Sequence, residues 1–343
     1  MATVRKIGLL THTSKNFLKC LESQLPKNGY HLQEIMFDQE KINNSKDCKE
    51  VEAALEKMKN DVESMDIVIA DGRLMPKILH KVNKVKWIHL IWAGVDPVVD
   101  SLAGKSIPSM PVTRFGGYFG EHMAEYAISH IVGYERGSFT IYENQKQNNW
   151  LKLSEQLGEY RMIKDLKFTI LGCGDIGHTI ARHLKQFGGT VYGMVRQTRN
   201  SNSSDYVDQY FTFDELPEFL KKSDYVCNVL PSTPGTRNLL TPELLKNCQN
   251  TVFMNLGRGD VIKEDNILRA LEENRFKQAI LDVFAVEPLP KESKLWSHER
   301  VTITPHCSGQ TQIQETVASF LEQLKLFENN EPLEFLVDWK SGY

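Results

Sequence analysis

Apolar positions along this chain fall into two alternating rhythms. Short apolar runs occur at Lys6 to Thr11, near His31 to Phe37, at Asp66 to Ala70, at Trp87 to Ile91 and at Val112-Thr113. Between them lie stretches with helical spacing, near Lys15 to Lys27 and around Lys46 to Met65. Strand-length runs alternating with helical ones predict a layered α/β domain. Arg114-Phe115-Gly116-Gly117-Tyr118-Phe119-Gly120 follows as a glycine-rich joint and candidate hinge. Then Met123, Ala124, Ala127, Ile128, Ile131 and Val132 place one apolar face on a long helix over Glu121 to Arg136. The alternation resumes at Phe168 and continues through Thr190 to Val195, Tyr225 to Leu230, Thr251 to Asn255, Ala279 to Val283 and Val301 to Thr304. A last helix is predicted near Thr311 to Asn329, and no internal repeat is present. The pattern therefore predicts two α/β domains.

The second domain opens on Phe168-Thr169-Ile170-Leu171 running into Gly172-Cys173-Gly174-Asp175-Ile176-Gly177, and a helical stretch follows. A strand, a G-x-G-x-x-G turn and a helix make a dinucleotide site. Gly172 allows the tight turn, Gly174 has no Cβ to block a pyrophosphate, and Gly177 lets the helix pack close to the strand. Phosphates then meet free N–H groups at a helix N-terminus, with Cys173, Asp175 and Ile176 supplying the rest of the turn. About 20 residues past such glycines an NAD site places Asp or Glu for the ribose 2′-hydroxyl. This chain has Arg196-Gln197-Thr198-Arg199 there and no carboxylate. Guanidinium groups and a hydroxyl suit a 2′-phosphate, so NADP is expected in preference to NAD; two solvated arginines at a loop mouth are the alternative.

Composition adds mainly exclusions. With 343 residues the chain is long enough for two cores, and its formal net charge of −3 gives no footprint for nucleic acid. No apolar run reaches the roughly 18 residues of a membrane span, and the N-terminal apolar run is broken too early for a secretory signal. A cytoplasmic protein is expected. The six cysteines are widely spaced without C-x-x-C, which points to reduced thiols and no metal site.

Three polar residues stand at predicted strand ends, the edge where open α/β sheets hold ligands: Arg258 in Asn255-Leu256-Gly257-Arg258-Gly259, Glu287 in the stretch from Asp282 to Pro288, and His306 in Thr304-Pro305-His306. Together with the glycine motif and the stretch Ser223 to Pro231 with Thr236, these five ordered motifs span about half of the chain. In them the chain resembles the D-isomer-specific 2-hydroxyacid dehydrogenases, and in character the NADPH-dependent glyoxylate/hydroxypyruvate reductases among them. The first domain resembles the family chiefly through Ala93-Gly94-Val95-Asp96.

Reduction of a 2-oxoacid needs hydride at the carbonyl carbon and a proton on its oxygen. His306, titrating near neutrality, can supply that proton; Glu287 would favour the imidazolium and orient the ring. Arg258 can hold the substrate carboxylate and the developing alkoxide. The resemblance further implies that the backbone amides of Gly94 and Val95 take the substrate carboxylate, that Asp282 contacts the nicotinamide amide, and that Leu230, Pro231 and Thr236 line the cofactor trough. It implies Trp296 as a wall of the substrate pocket, with a core tryptophan as the alternative. His122 and Met123 depart from the commoner Val-Ala-Glu beginning of the long helix, while Ala124-Glu125 keeps to it.

The expected fold is a flavodoxin-like substrate domain of residues 1–113 and 307–343 and a doubly wound Rossmann domain of 114–306, with a cleft between them. The expected activity is NADPH-dependent reduction of a small 2-oxoacid, glyoxylate or hydroxypyruvate first. The alternatives are a nucleotide-sensing binding protein resembling the co-repressors of this fold, and a biosynthetic dehydrogenase of the D-3-phosphoglycerate type. By resemblance a homodimer is expected, with contacts along Glu143 to Arg161.

Overall fold

The computed structural model describes residues 4–12, 14–26, 28–45, 47–150, 160–197 and 204–343. It divides into two units, Met1–Tyr118 with Thr311–Tyr343, and Phe119–Gln310.

Among the described residues the first unit holds five strands: β1 Arg5–Leu10, β2 Tyr30–Glu34, β3 Ile67–Ala70, β4 Trp87–Leu90 and β5 Val112–Arg114. All pair in parallel, in the order β2-β1-β3-β4-β5. This is the flavodoxin-like order, whose direction reverses between β1 and β3. Every residue of β3 and β4 is buried, because helices cover both faces of a parallel sheet; β3 is a continuous apolar run, and β4 is one apart from His89. The helix Ile313–Glu328 covers one face, where Phe320 stacks on Trp87 at 5.2 Å between ring centroids. After it the chain returns to the sheet edge, bridging Leu336 to Thr113. Two glycines of the joint have a steric task. A Cβ on Gly116 would overlap the Phe335 ring, and one on Gly120 would lie 2.5 Å from the Thr179 hydroxyl.

Among the described residues the second unit holds seven parallel strands: β6 Lys167–Leu171, β7 Thr190–Met194, β8 Gln209–Phe211, β9 Tyr225–Asn228, β10 Thr251–Asn255, β11 Phe276–Leu281 and β12 Val301–Ile303. Their order is β12-β11-β10-β9-β6-β7-β8. The winding reverses between β6 and β9, so the carboxyl ends of these two strands flank the crevice that dinucleotides use. The Asp175–Gln186 helix buries Gly177, Ile180, Ala181 and Leu184, a stripe at i, i+3, i+4 and i+7 that lays it on the sheet. One strand, β8, lies outside the sequence pattern. Its three residues at the sheet edge are too few to carry a period.

Candidate active site

The glycine turn sits at the switch point, directly after β6. Gly172 has φ +97, in the left-handed region that favours glycine, and a Cβ there would meet Leu230 at 3.1 Å. Above Gly174 the space is open, with nothing within 4 Å of where its Cβ would stand. A Cβ on Gly177 would overlap the Gly172 carbonyl oxygen. Gly174 caps the Asp175–Gln186 helix, whose first-turn N–H groups have no partner within the helix. An open space above a glycine at a helix N-terminus fits a dinucleotide pyrophosphate. Cys173 is buried beneath the turn, its N–H bonded to Met194 O at 2.8 Å, and burial pushes its thiol up to about 12. The Asp175 side chain is exposed at the start of the helix, and Ile176 is partly covered.

Arg196 and Gln197 follow β7 at the same carboxyl edge, and both are exposed. Thr198 lies outside the described residues. Of the carboxylates that follow among the described residues, Asp205 and then Asp208, Asp208 accepts from Val191 N at 2.7 Å and from Lys185 Nζ at 2.8 Å.

The three strand-end residues come together around His306. Its Nδ1 lies 2.8 Å from Glu287 Oε2, while Glu287 Oε1 accepts the Phe284 N–H at 2.9 Å. The hydrogen bond to Glu287 raises the His306 pKa above the ordinary histidine value, against burial and the positive charge of Arg258. Glu287 is shifted the other way. Burial opposes its charge, yet the bonds from His306 and from the Phe284 N–H hold it below the usual carboxylate range. His306 also has φ +53, an uncommon conformation for a residue with a Cβ, and the surroundings hold it there: its N–H donates to Asp282 O at 2.9 Å.

Asp282, expected at the nicotinamide amide, has no exposed surface. Its carboxylate fixes the histidine loop: Oδ1 accepts from Thr304 Oγ1 at 2.6 Å and Cys307 N at 2.8 Å, and Oδ2 accepts from Ser308 N at 2.8 Å. Because the Thr304 hydrogen goes to Asp282, the Tyr126 hydroxyl donates to Thr304, 2.6 Å away. Neither Tyr126 nor Thr304 is visible as a site residue from sequence.

Arg258 stands between two glycines that no other residue could replace without movement. A Cβ on Gly257 would lie 2.6 Å from Leu230 O, and one on Gly259 would overlap the Phe284 carbonyl carbon. The loop is held from below by two buried amides. Asn228 Nδ2 donates to Asn255 Oδ1 at 2.8 Å, Asn255 Nδ2 donates to Arg258 O at 3.1 Å, and Leu230 N donates back to Asn228 Oδ1 at 3.2 Å. Leu230 and Pro231 are partly exposed beside the glycine turn. The Thr236 hydroxyl closes the turn after them, donating to Pro231 O at 2.6 Å and accepting from Thr233 N at 2.9 Å.

In the first unit, Gly94 and Val95 follow β4, with Val95 as the residue before the Asp96–Ser101 helix. Among the described residues neither of their N–H groups has a hydrogen-bond partner. Trp296 is 53 % exposed and donates its indole N–H to Pro290 O at 2.9 Å, so it is not a core tryptophan. Among the described residues no group of His, Cys, Asp or Glu is placed to hold a metal, and no helix is long and apolar enough to cross a membrane.

A doubly wound sheet with a glycine turn at its switch point and a charged acid–base pair at neighbouring strand ends defines a nicotinamide-dependent oxidoreductase. Comparison with known proteins makes this specific. Residues 128–308 match the model of the D-isomer specific 2-hydroxyacid dehydrogenase NAD binding domain. The glyoxylate/hydroxypyruvate reductase A of Escherichia fergusonii is 36 % identical over 265 residues, 76 % of this chain and 82 % of that protein. The chain therefore belongs to the D-isomer specific 2-hydroxyacid dehydrogenase family. A family protein from Aeromonas salmonicida superposes with a TM-score of 0.80 at 28 % identity, covering 98 % of this chain and 100 % of its own. The NADPH-dependent glyoxylate/hydroxypyruvate reductase of Sinorhizobium meliloti, in complex with NADP and sulfate, shares the fold with a TM-score of 0.78 at 24 % identity, covering 99 % and 100 %.

Proposed function

We propose that this chain uses NADPH to reduce a small 2-oxoacid, glyoxylate or hydroxypyruvate first, to the D-2-hydroxyacid. The observation that carries the reading is the 2.8 Å pair of His306 Nδ1 and Glu287 Oε2. When bound, NADPH supplies the hydride. Glu287 occupies Nδ1 and favours the imidazolium, which leaves Nε2–H of His306 as the proton donor for the carbonyl oxygen. Arg258 steadies the developing negative charge and keeps the fork geometry that a carboxylate accepts. Gly94 and Val95, whose N–H groups have no partner among the described residues, offer them to the substrate carboxylate. Arg196, in place of a ribose-binding acid, favours the 2′-phosphate.

The reading includes a cytoplasmic homodimer. The helix Ser138–Lys146 has no buried residue, and Phe139, Tyr142 and Trp150 are 58 %, 55 % and 92 % exposed, an apolar surface that a second copy would cover. Sedimentation tests the dimer. The activity is tested by glyoxylate, hydroxypyruvate, pyruvate, phenylpyruvate and 2-ketopantoate, each with NADPH and with NADH. Turnover of glyoxylate and hydroxypyruvate with NADPH is expected. Failure with every oxoacid and both cofactors favours the nucleotide-sensing alternative.

A further inference from the structure

The glycine turn is held by a side-chain relay that the reaction described above does not use. His178 stands in the first turn of the Asp175–Gln186 helix, directly after Gly177, and is partly exposed. Its backbone N and its ring Nδ1 reach the same atom, each lying 2.8 Å from Gly174 O. A carbonyl oxygen can only accept, and its two lone pairs take both bonds, so Nδ1 carries the ring hydrogen. In the neutral ring Nε2 is then an acceptor, and the Tyr210 hydroxyl donates to it at 2.7 Å. Burial raises the Tyr210 pKa, which keeps that hydrogen in place. Tyr210 belongs to β8, two strands from β6, in register with Gly193 of β7. A Cβ on Gly193 would stand 2.9 Å from Sγ of Cys173, so this glycine lets the turn sit close over β7, within reach of β8.

Gly174 and Asp175 share one planar trans peptide. When its carbonyl points into the helix, the Asp175 N–H points out of the helix N-terminus, toward the place a pyrophosphate takes. Gly174 has extended torsions, φ −93 and ψ −152, and as a glycine it resists rotation of that peptide less than other residues. A second donor on the carbonyl supplies the missing restraint. We propose that His178, held by Tyr210, is a positioning residue for the nicotinamide cofactor: its ring fixes the Gly174–Asp175 peptide so that the Asp175 N–H is aimed at the pyrophosphate before the cofactor arrives. A donor fixed in advance leaves less to be ordered on binding. The pyrophosphate is common to NADPH and NADH, so His178 serves both alike, whereas Arg196 separates them. The proposal rests on the reading that the pyrophosphate lies over Gly174.

The test titrates NADPH and NADH into the wild type, His178→Ala, His178→Asn, Tyr210→Phe and Gly174→Ala, with steady-state kinetics and thermal melts on the same samples. An asparagine amide nitrogen stands where Nδ1 does and keeps the bond to Gly174 O, but it cannot reach Tyr210. His178→Ala should weaken both cofactors by about threefold to tenfold, the worth of one hydrogen bond. The change should lie in KM for the cofactor rather than in kcat; binding alone decides if no oxoacid is turned over. His178→Asn should recover most of the affinity even where it does not restore the melting temperature, which separates aiming from folding. Tyr210→Phe, which frees the ring, should fall between wild type and His178→Ala. Wild-type affinity in His178→Ala, or a loss that His178→Asn does not restore, overturns the assignment. Should His178→Ala fail to fold, His178→Leu, which keeps bulk and has no donor, takes its place. If Gly174→Ala weakens binding while His178→Ala does not, the pyrophosphate reading stands and the role of His178 alone falls. If Gly174→Ala binds as the wild type does, the pyrophosphate lies elsewhere and the proposal falls with that reading.

Discussion

The side chains of Asn228 and Asn255 bond to each other at 2.8 Å at the carboxyl ends of neighbouring strands, where the two residues are also in register. Both are buried, and each passes on a second bond: Asn228 to the Leu230 N–H and Asn255 to the Arg258 carbonyl. The pair therefore couples the turn beside the glycine motif to the loop that carries Arg258. Asn255→Leu should leave the Asn228 amide and the Arg258 carbonyl unpaired in the interior. A loss of about 2 kcal/mol or more in unfolding free energy is expected. Because the Arg258 loop would shift, kcat/KM should fall as well. Urea unfolding beside steady-state kinetics checks both, and an unaltered midpoint would show that the amide pair holds nothing in place.

Two glycines should respond in opposite ways to the same substitution. Gly259→Ala places a methyl group on top of the Phe284 carbonyl carbon, which is backbone and cannot rotate away. Overpacking of this kind costs about 1–3 kcal/mol, and a lowered melting temperature is expected. Gly174→Ala meets nothing within 4 Å and has φ −93, which alanine adopts, so the fold should keep its stability to within about 0.5 kcal/mol. The methyl group would then occupy the open space over the helix N-terminus. Calorimetry should show weaker NADPH binding for Gly174→Ala despite an unchanged melt; wild-type affinity in that variant would mean that the phosphates lie elsewhere.

Most strands were legible in the sequence because buried parallel strands are largely apolar on both faces, as Ile67 to Ala70 and Val252 to Met254 are. The glycine turn and the trio Arg258, Glu287 and His306 were legible as glycines and polar residues at the ends of apolar strand runs, and the structure brings the trio together. What the sequence did not disclose is pairing between distant positions. Asn228 with Asn255, and Tyr126 with Thr304 and Asp282, are brought together only by the order of the strands and the packing of the long helix. Asp282 shows the limit most clearly: its place at the end of β11 could be read from sequence, whereas the burial of its carboxylate under three donors could not. Gly116 and Gly120 show a second limit, since composition reads them as flexible and packing gives both a close neighbour.

Cofactor choice should follow Arg196. Replacing it by aspartate removes a charge-assisted contact to a 2′-phosphate and puts a carboxylate where the ribose hydroxyls of NAD are otherwise held. Arg196→Asp should weaken NADPH binding by about tenfold to a hundredfold and improve NADH. Parallel titrations with the two cofactors measure this. Equal use of NADPH and NADH by the wild type would remove the basis for the preference.

The pH profile of reduction should identify the acid. His306 must be protonated to donate, so activity is lost as the pH rises through its pKa, and the hydrogen bond to Glu287 moves that loss to higher pH. Glu287→Gln removes the carboxylate charge. The imidazolium then gives up its proton more readily, and the alkaline limb should move to lower pH, with the largest activity deficit above it. His306→Ala should lower kcat by about 10²–10⁴-fold at every pH while NADPH still binds, because the ring acts on the substrate oxygen. The same pair sets a stability window with two edges. The raised His306 pKa contributes stability at low pH that is lost as pH rises through it, and the lowered Glu287 pKa contributes stability that is lost as pH falls through it. Between those edges both groups are charged and the pair is intact. Kinetics and thermal melts across one pH series, on wild type and both variants, separate the two effects: a limb that stays in place in Glu287→Gln means that His306 is not the titrating acid, whatever happens to the melts.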